Sequence, residues 1–119
     1  MKKIAFVFSS CPHGTTFGKE GLDAVLGTSA ILKKISLFFI GDGVFQLFKT
    51  HKSEKILTRN YTSLFSILSL YDIKNFYCCK LSLFERGLNF NTKFVLQVNI
   101  LNSYFLRLKL DDHDVIINF

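Results

Sequence analysis

Short, uninterrupted apolar runs alternate along this chain with segments of helical periodicity, and that alternation narrows the possible folds more than any other feature. Lys3–Phe8 is an apolar run of strand length, bounded by the turn-prone Ser9-Ser10-Cys11-Pro12-His13-Gly14. Leu22, Val25, Leu26 and Ser29 follow the spacing of one helix face, with Thr15 or Thr16 as the expected N-cap. Ile35–Ile40 is a second apolar run, ended by Gly41-Asp42-Gly43. Thr58 could cap a further helix whose face carries Tyr61, Leu64, Phe65 and Leu68. Asn75–Cys79 reads as a third strand, and Leu81–Arg86 as a short helix stopped by Gly87 at the C′ position. Phe94–Val98 reads as the fourth strand. Leu101, Tyr104, Phe105 and Leu108 repeat the helical spacing, and Val115–Phe119 reads as the fifth strand.

Strands apolar at every position are buried on both faces, which is the mark of a parallel sheet covered by helices. With right-handed crossovers, the expected fold is α/β: a small doubly wound, flavodoxin-like, five-stranded parallel sheet with helices on both faces. The 119 residues, 49% of them hydrophobic, suit one domain over 1–119 and exclude a disordered chain. No apolar run approaches the roughly 20 residues that span a bilayer. Met1-Lys2-Lys3 and the five apolar residues that follow read as a first strand and not as a signal peptide, whose apolar region needs about 7–15 residues. Three cysteines, two of them adjacent, make no extracellular disulfide framework, so reduced thiols in the cytoplasm are expected.

Fifteen Lys and Arg against nine Asp and Glu give a net charge of +6, which raises the possibility of a nucleic-acid partner. The lysines are scattered, however, with no basic helix or stripe of interleaved aromatics, so direct nucleic-acid binding is not expected. Nor is membrane association.

In a sheet of this kind chemistry collects at the carboxyl ends of the strands. Three loops therefore matter: Ser9–Gly14, Gly41–Phe45 and the joint around Cys78-Cys79-Lys80. Cys79 is the candidate reactive residue. A thiol at a strand end and helix start feels the helix N-terminal partial charge, and Lys80 beside it would further favour thiolate. Such a thiolate could accept sulfane sulfur as a persulfide. The alternative is that the cysteine is a small core hydrophobe. Because strand side chains alternate, Cys78 and Cys79 must face opposite ways. The first loop resembles a phosphate-cradling turn, but Pro12 lacks an N–H and only one Gly is present, so no nucleotide cofactor is expected. Cys11 and His13, with His51 and His113 elsewhere, complete no ligand spacing, and no metal is expected. The apolar crowding of Val44, Phe45, Leu47 and Phe48 points to core, to a subunit interface, or to both.

Pro12-His13-Gly14-Thr15, Gly18-Lys19-Glu20-Gly21-Leu22-Asp23-Ala24 and Phe38–Leu47 closely resemble the C-type, DsrF-like branch of the DsrE/DsrF-like family, the branch found in TusBCD sulfur-relay complexes. Leu70-Tyr71-Asp72-Ile73, Ser82–Leu88 and Asp114–Phe119 continue the resemblance in order over nearly the whole chain. It implies a cytoplasmic heterohexamer with TusB-like and TusD-like subunits. That assembly would pass persulfide sulfur to a TusE-like acceptor, toward 2-thiolation of the wobble uridine of tRNA. In the family the sulfur-carrying cysteine is generally on the D-type subunit, eight residues before the Gly of a short helix ending Arg-Gly. Cys79 stands eight residues before Gly87, but the C-type branch does not depend on this cysteine. Two readings follow: a structural, non-catalytic subunit, or a chain whose Cys79, assisted by Lys80, itself carries sulfur. A flavodoxin-like flavin binder is a third, more distant one.

Overall fold

A computed structural model describes residues 2–11, 17–31, 34–48, 68, 71, 73, 75–88, 94 and 96–119. The expected caps Thr15, Thr16 and Thr58, the helix face from Tyr61 to Phe65, and His13 and His51 lie outside the described residues. Among the described residues there are five strands: β1 (Ile4–Phe8), β2 (Ile35–Phe39), β3 (Asn75–Cys79), β4 (Asn99–Leu101) and β5 (Val115–Asn118). Between them lie α1 (Phe17–Ser29), a 3-10 helix (Gly41–Leu47), α2 (Lys80–Glu85) and α3 (Ser103–Asp111). Every strand pairing is parallel, in the order β4-β3-β2-β1-β5.

That order determines where the helices go. Stepping from β1 through β2 and β3 to β4 moves the chain steadily across the sheet, so right-handed crossovers place those connections on one face. The return from β4 to β5, beyond β1, reverses direction and places α3 on the other face. The packing agrees. Leu22 and Val25 of α1, Val44 and Leu47 of the 3-10 helix and Leu83 of α2 share a cluster with Phe6, Phe8, Leu37, Phe39, Phe76 and Cys78. Leu106 of α3 packs on the opposite face with Ala5, Val7, Phe38 and Cys79. The sheet is thus doubly wound, with the described helices shared unequally between the faces.

The first face is held by aromatic packing. Phe8 stacks on Phe39 at 5.3 Å between ring centroids and on Phe119 at 5.9 Å. Phe6, Phe8, Phe38 and Phe39 are fully buried, and each such side chain contributes roughly 1.5–3 kcal/mol of hydrophobic stabilisation. Gly87 follows α2 with φ +70°, as the C′ reading requires.

Two expectations are corrected. The fourth strand is Asn99–Leu101, not Phe94–Val98. Phe94 instead makes an isolated antiparallel bridge to Phe48, with their rings 5.0 Å apart, and Leu96 is buried in the first-face cluster. Asn102 then ends the pairing, because its side chain accepts a hydrogen bond from the Phe105 N–H (2.9 Å) and caps α3. The second correction concerns α3 itself. Its periodic stripe faces outward: Tyr104 is 67% exposed, and Phe105 and Leu108 are exposed too, while Leu106 carries the buried contact. Leu101, read with that stripe, belongs to β4.

Candidate functional site

The carboxyl edge of the sheet brings together the three loops singled out by sequence, as far as they are described. The turn after β2 begins the 3-10 helix directly, with Gly41 at φ +53°. Gly43 lies against the end of β1 so closely that a Cβ there would run into the Phe8 carbonyl and sit 2.9 Å from the Ser9 nitrogen. The Ile40 N–H donates to Phe8 O (3.0 Å), and the Gly43 N–H to Ile40 O (2.8 Å). Glycine is needed here for close approach.

The same turn is tied to α2. The Gly41 N–H donates to Ser82 Oγ (2.9 Å), and Arg86 Nε donates to Asp42 Oδ1 (3.0 Å) while its Nη1 donates to Ser82 O (3.1 Å). Arg86 therefore braces the helix that follows Cys79 against the turn that follows β2. These partners are 41 and 44 residues apart, so no local pattern reveals them. Gln46 was likewise missed. It is fully buried, donates from Nε2 to Ser10 O (3.1 Å), and its Oε1 finds no partner among the described residues.

The adjacent cysteines separate as alternation requires. Cys78 lies in the first-face core, where burial, with repulsion from Cys79 second, pushes its thiol up to about 12. Cys79 occupies the N-cap position of α2 without making a side-chain cap. Its side chain lies on the second face among Ala5, Val7, Phe38 and Leu106 and is only 7% exposed. Lys80 is the exposed first residue of α2. The geometry thus brings Cys79 to the expected edge, yet packs it as a core residue. Cys11 is half-buried at the start of the first loop, and no disulfide joins the three thiols.

Between the carboxyl ends of β1 and β5, where the strand order reverses, Ser9 N–H donates to Phe119 O (2.9 Å) and Ser9 Oγ donates to Asn118 Oδ1 (2.8 Å). A switch-point ligand would sit in that crevice. Here main chain and side chain bridge it. His113, which in sequence only fails to complete a ligand spacing, is half-buried at the opposite edge, between Lys109 O (2.7 Å from Nδ1) and Ser36 Oγ (2.9 Å from Nε2). No group of His, Cys, Asp and Glu suited to a metal ion occurs among the described residues. No helix among them is long and apolar enough to cross a membrane.

A parallel five-stranded sheet with a glycine turn braced to the helix after its third strand defines a small doubly wound α/β protein of flavodoxin-like architecture. Within that class the chain belongs to the DsrE/DsrF-like family, whose sequence pattern matches residues 2–119. It is 73% identical over 119 residues to Protein TusC of Buchnera aphidicola subsp. Schizaphis graminum, and 50% identical to Protein TusC of Shigella flexneri serotype 5b. Both alignments cover the whole of each chain. The crystal structure of the ychN protein from E. coli superposes with a TM-score of 0.80 at 21% identity, covering both chains completely, and so shares the fold.

Proposed function

We propose that this chain is a structural, non-catalytic subunit of a cytoplasmic sulfur-relay complex. In that complex it assembles with TusB-like and TusD-like subunits, as a heterohexamer. The complex delivers persulfide sulfur to a TusE-like acceptor for 2-thiolation of wobble uridine in tRNA. Full-length identity to proteins named TusC supports the place in the relay. The observation that carries the non-catalytic part is the burial of Cys79. A carrier thiol has to meet a donor and an acceptor, and one that is 7% exposed in an apolar cluster is poorly placed for either.

The outward apolar stripe of α3 supports a subunit role. Tyr104, Phe105 and Leu108 lie on the face that this crossover helix covers, and Ile116 of the edge strand β5 adds to it at 52% exposed. Exposed apolar area of this kind marks association surfaces.

The carrier reading keeps one observation in its favour, the position of Cys79 at the start of α2 on the carboxyl edge. Cys79→Ser in the co-expressed, mass-verified complex separates the two. Thiolation of tRNA at the wild-type level is expected. Loss of thiolation with the complex intact would transfer the function to Cys79.

A further inference from the structure

At the amino edge of the sheet, away from the cysteines, a polar groove of about 260 Å³ opens between the starts of β1, β2 and β3 and the end of α3. We propose that this groove is a binding site for the phosphate group of a small phosphomonoester. The inference does not depend on the sulfur-relay reading, because it uses none of the residues of the carboxyl edge.

Charge is the first argument. Lys3, Lys34 and Lys109 line the groove together with a single carboxylate, Asp112. Lys3 is committed to that carboxylate, with Nζ 2.8 Å from Asp112 Oδ2. Neither Lys34 nor Lys109 has a carboxylate partner among the described residues. Lys109 lies instead over the Tyr77 ring, with Nζ 5.8 Å from the centroid. Two ammonium groups are therefore left facing one concavity, and a phosphomonoester, with a second pKa near 6, brings close to two negative charges at pH 7.

The second argument is a preset polar wall. His113 Nδ1 must carry the proton, because its partner, Lys109 O, can only accept. Nε2 then accepts from the Ser36 hydroxyl, which is 5% exposed at the floor of the groove. The ring is held edge-on to Phe38 (5.5 Å, 85°), and Phe38 stacks on Tyr77 at 4.9 Å. The imidazole and hydroxyl are thus fixed by packing, with their hydrogens already donated to Lys109 O and His113 Nε2. They form a rigid polar wall, and the hydrogen bonds to a phosphate oxygen come from the Lys34 and Lys109 ammonium groups.

Size and lining decide between ligand classes. The volume falls below the roughly 300–1,000 Å³ usual for drug-sized ligands, leaving room for a phosphoryl group with a short polar substituent. A nucleic-acid backbone calls for a stripe of cations and exposed stacking platforms. Here the Tyr77 ring is already taken up by Phe38 and Lys109.

The test is an NMR titration of the full-length chain at constant ionic strength, following the His113 ring nitrogens and backbone amides. The probes are inorganic phosphate, glycerol phosphate, sodium chloride and a single-stranded RNA oligonucleotide. Saturable shifts at His113 and Ser36 with the two phosphate probes are expected, and none with chloride. Lys34→Gln combined with Lys109→Gln should weaken binding by about tenfold or more, the scale of losing charge-assisted hydrogen bonds. Lys34→Gln alone, at an exposed position, serves if the double variant does not fold. The proposal fails if the shifts do not saturate, if chloride reproduces them, or if the lysine variants bind as the wild type does. It fails equally if RNA binds this groove more tightly than glycerol phosphate.

Discussion

Thiol labelling tests the separation of the two adjacent cysteines most directly. Burial pushes Cys78 from an ordinary 9.0 up to about 12. At pH 8 an ordinary thiol is about one-tenth thiolate, whereas one titrating at 12 is about one part in ten thousand, so its intrinsic alkylation slows by about a thousandfold. The fully buried side chain adds a second barrier, since reagent must wait for local opening. The assay is a time course with iodoacetamide at pH 8 on the native protein, resolved by peptide mass mapping, with a denatured control in which all three cysteines react. Half-buried Cys11 should label first. Cys79 should label slowly, and Cys78 should stay unmodified until the protein unfolds. Labelling of Cys78 within tenfold of Cys11 under native conditions would refute both its placement in the first-face core and the reasoning from burial.

Two further predictions follow from the same geometry. Because the folded-state pKa of Cys78 is raised, its contribution to stability is complete below pH 9 and is lost as pH rises through about 12. Urea midpoints of the wild type should therefore fall more steeply between pH 8 and 10.5 than those of Cys78→Val; parallel curves would count against it. Gly43→Ala should destabilise by about 1–3 kcal/mol, because the added methyl meets main chain that cannot rotate away, and that loss exceeds the helix-propensity gain of alanine, about 1 kcal/mol at most in a 3-10 turn. A melting temperature unchanged or raised relative to the wild type would show that β1 and the turn can separate freely.

Sequence periodicity reads this chain best where burial is complete on both sides. β2 is apolar except for Ser36 and buried throughout, and β3 falls on the expected residues because its neighbours enclose it. The edge strand β4 escapes that logic. Asn99-Ile100-Leu101 is short and partly exposed, so the more apolar Phe94–Val98 outweighs it in sequence although it serves other contacts. The stripe on α3 misleads for a related reason: periodicity shows that a helix has an apolar face, not which surface that face meets. At the site, the alternation that separates Cys78 from Cys79 was legible, since it is a property of any strand. The brace from Arg86 to Asp42 and the tie from Ser82 to Gly41 were not, because they exist only once β2 and β3 lie side by side.

The position of β5 beside β1 has a consequence for how the chain is made. Ile4 lies opposite Val115, and Lys3 N–H donates to Asp114 Oδ2 (2.8 Å), a contact spanning 111 residues. During synthesis β1 emerges before the other described elements, yet one of its two edges stays unpaired until β5, more than a hundred residues later, has been translated. Through that interval it offers a row of unsatisfied amides and carbonyls to any neighbouring strand. Completion of the sheet is therefore a late event that joins early and late segments, and the nascent chain is most open to mispairing just before β5 arrives.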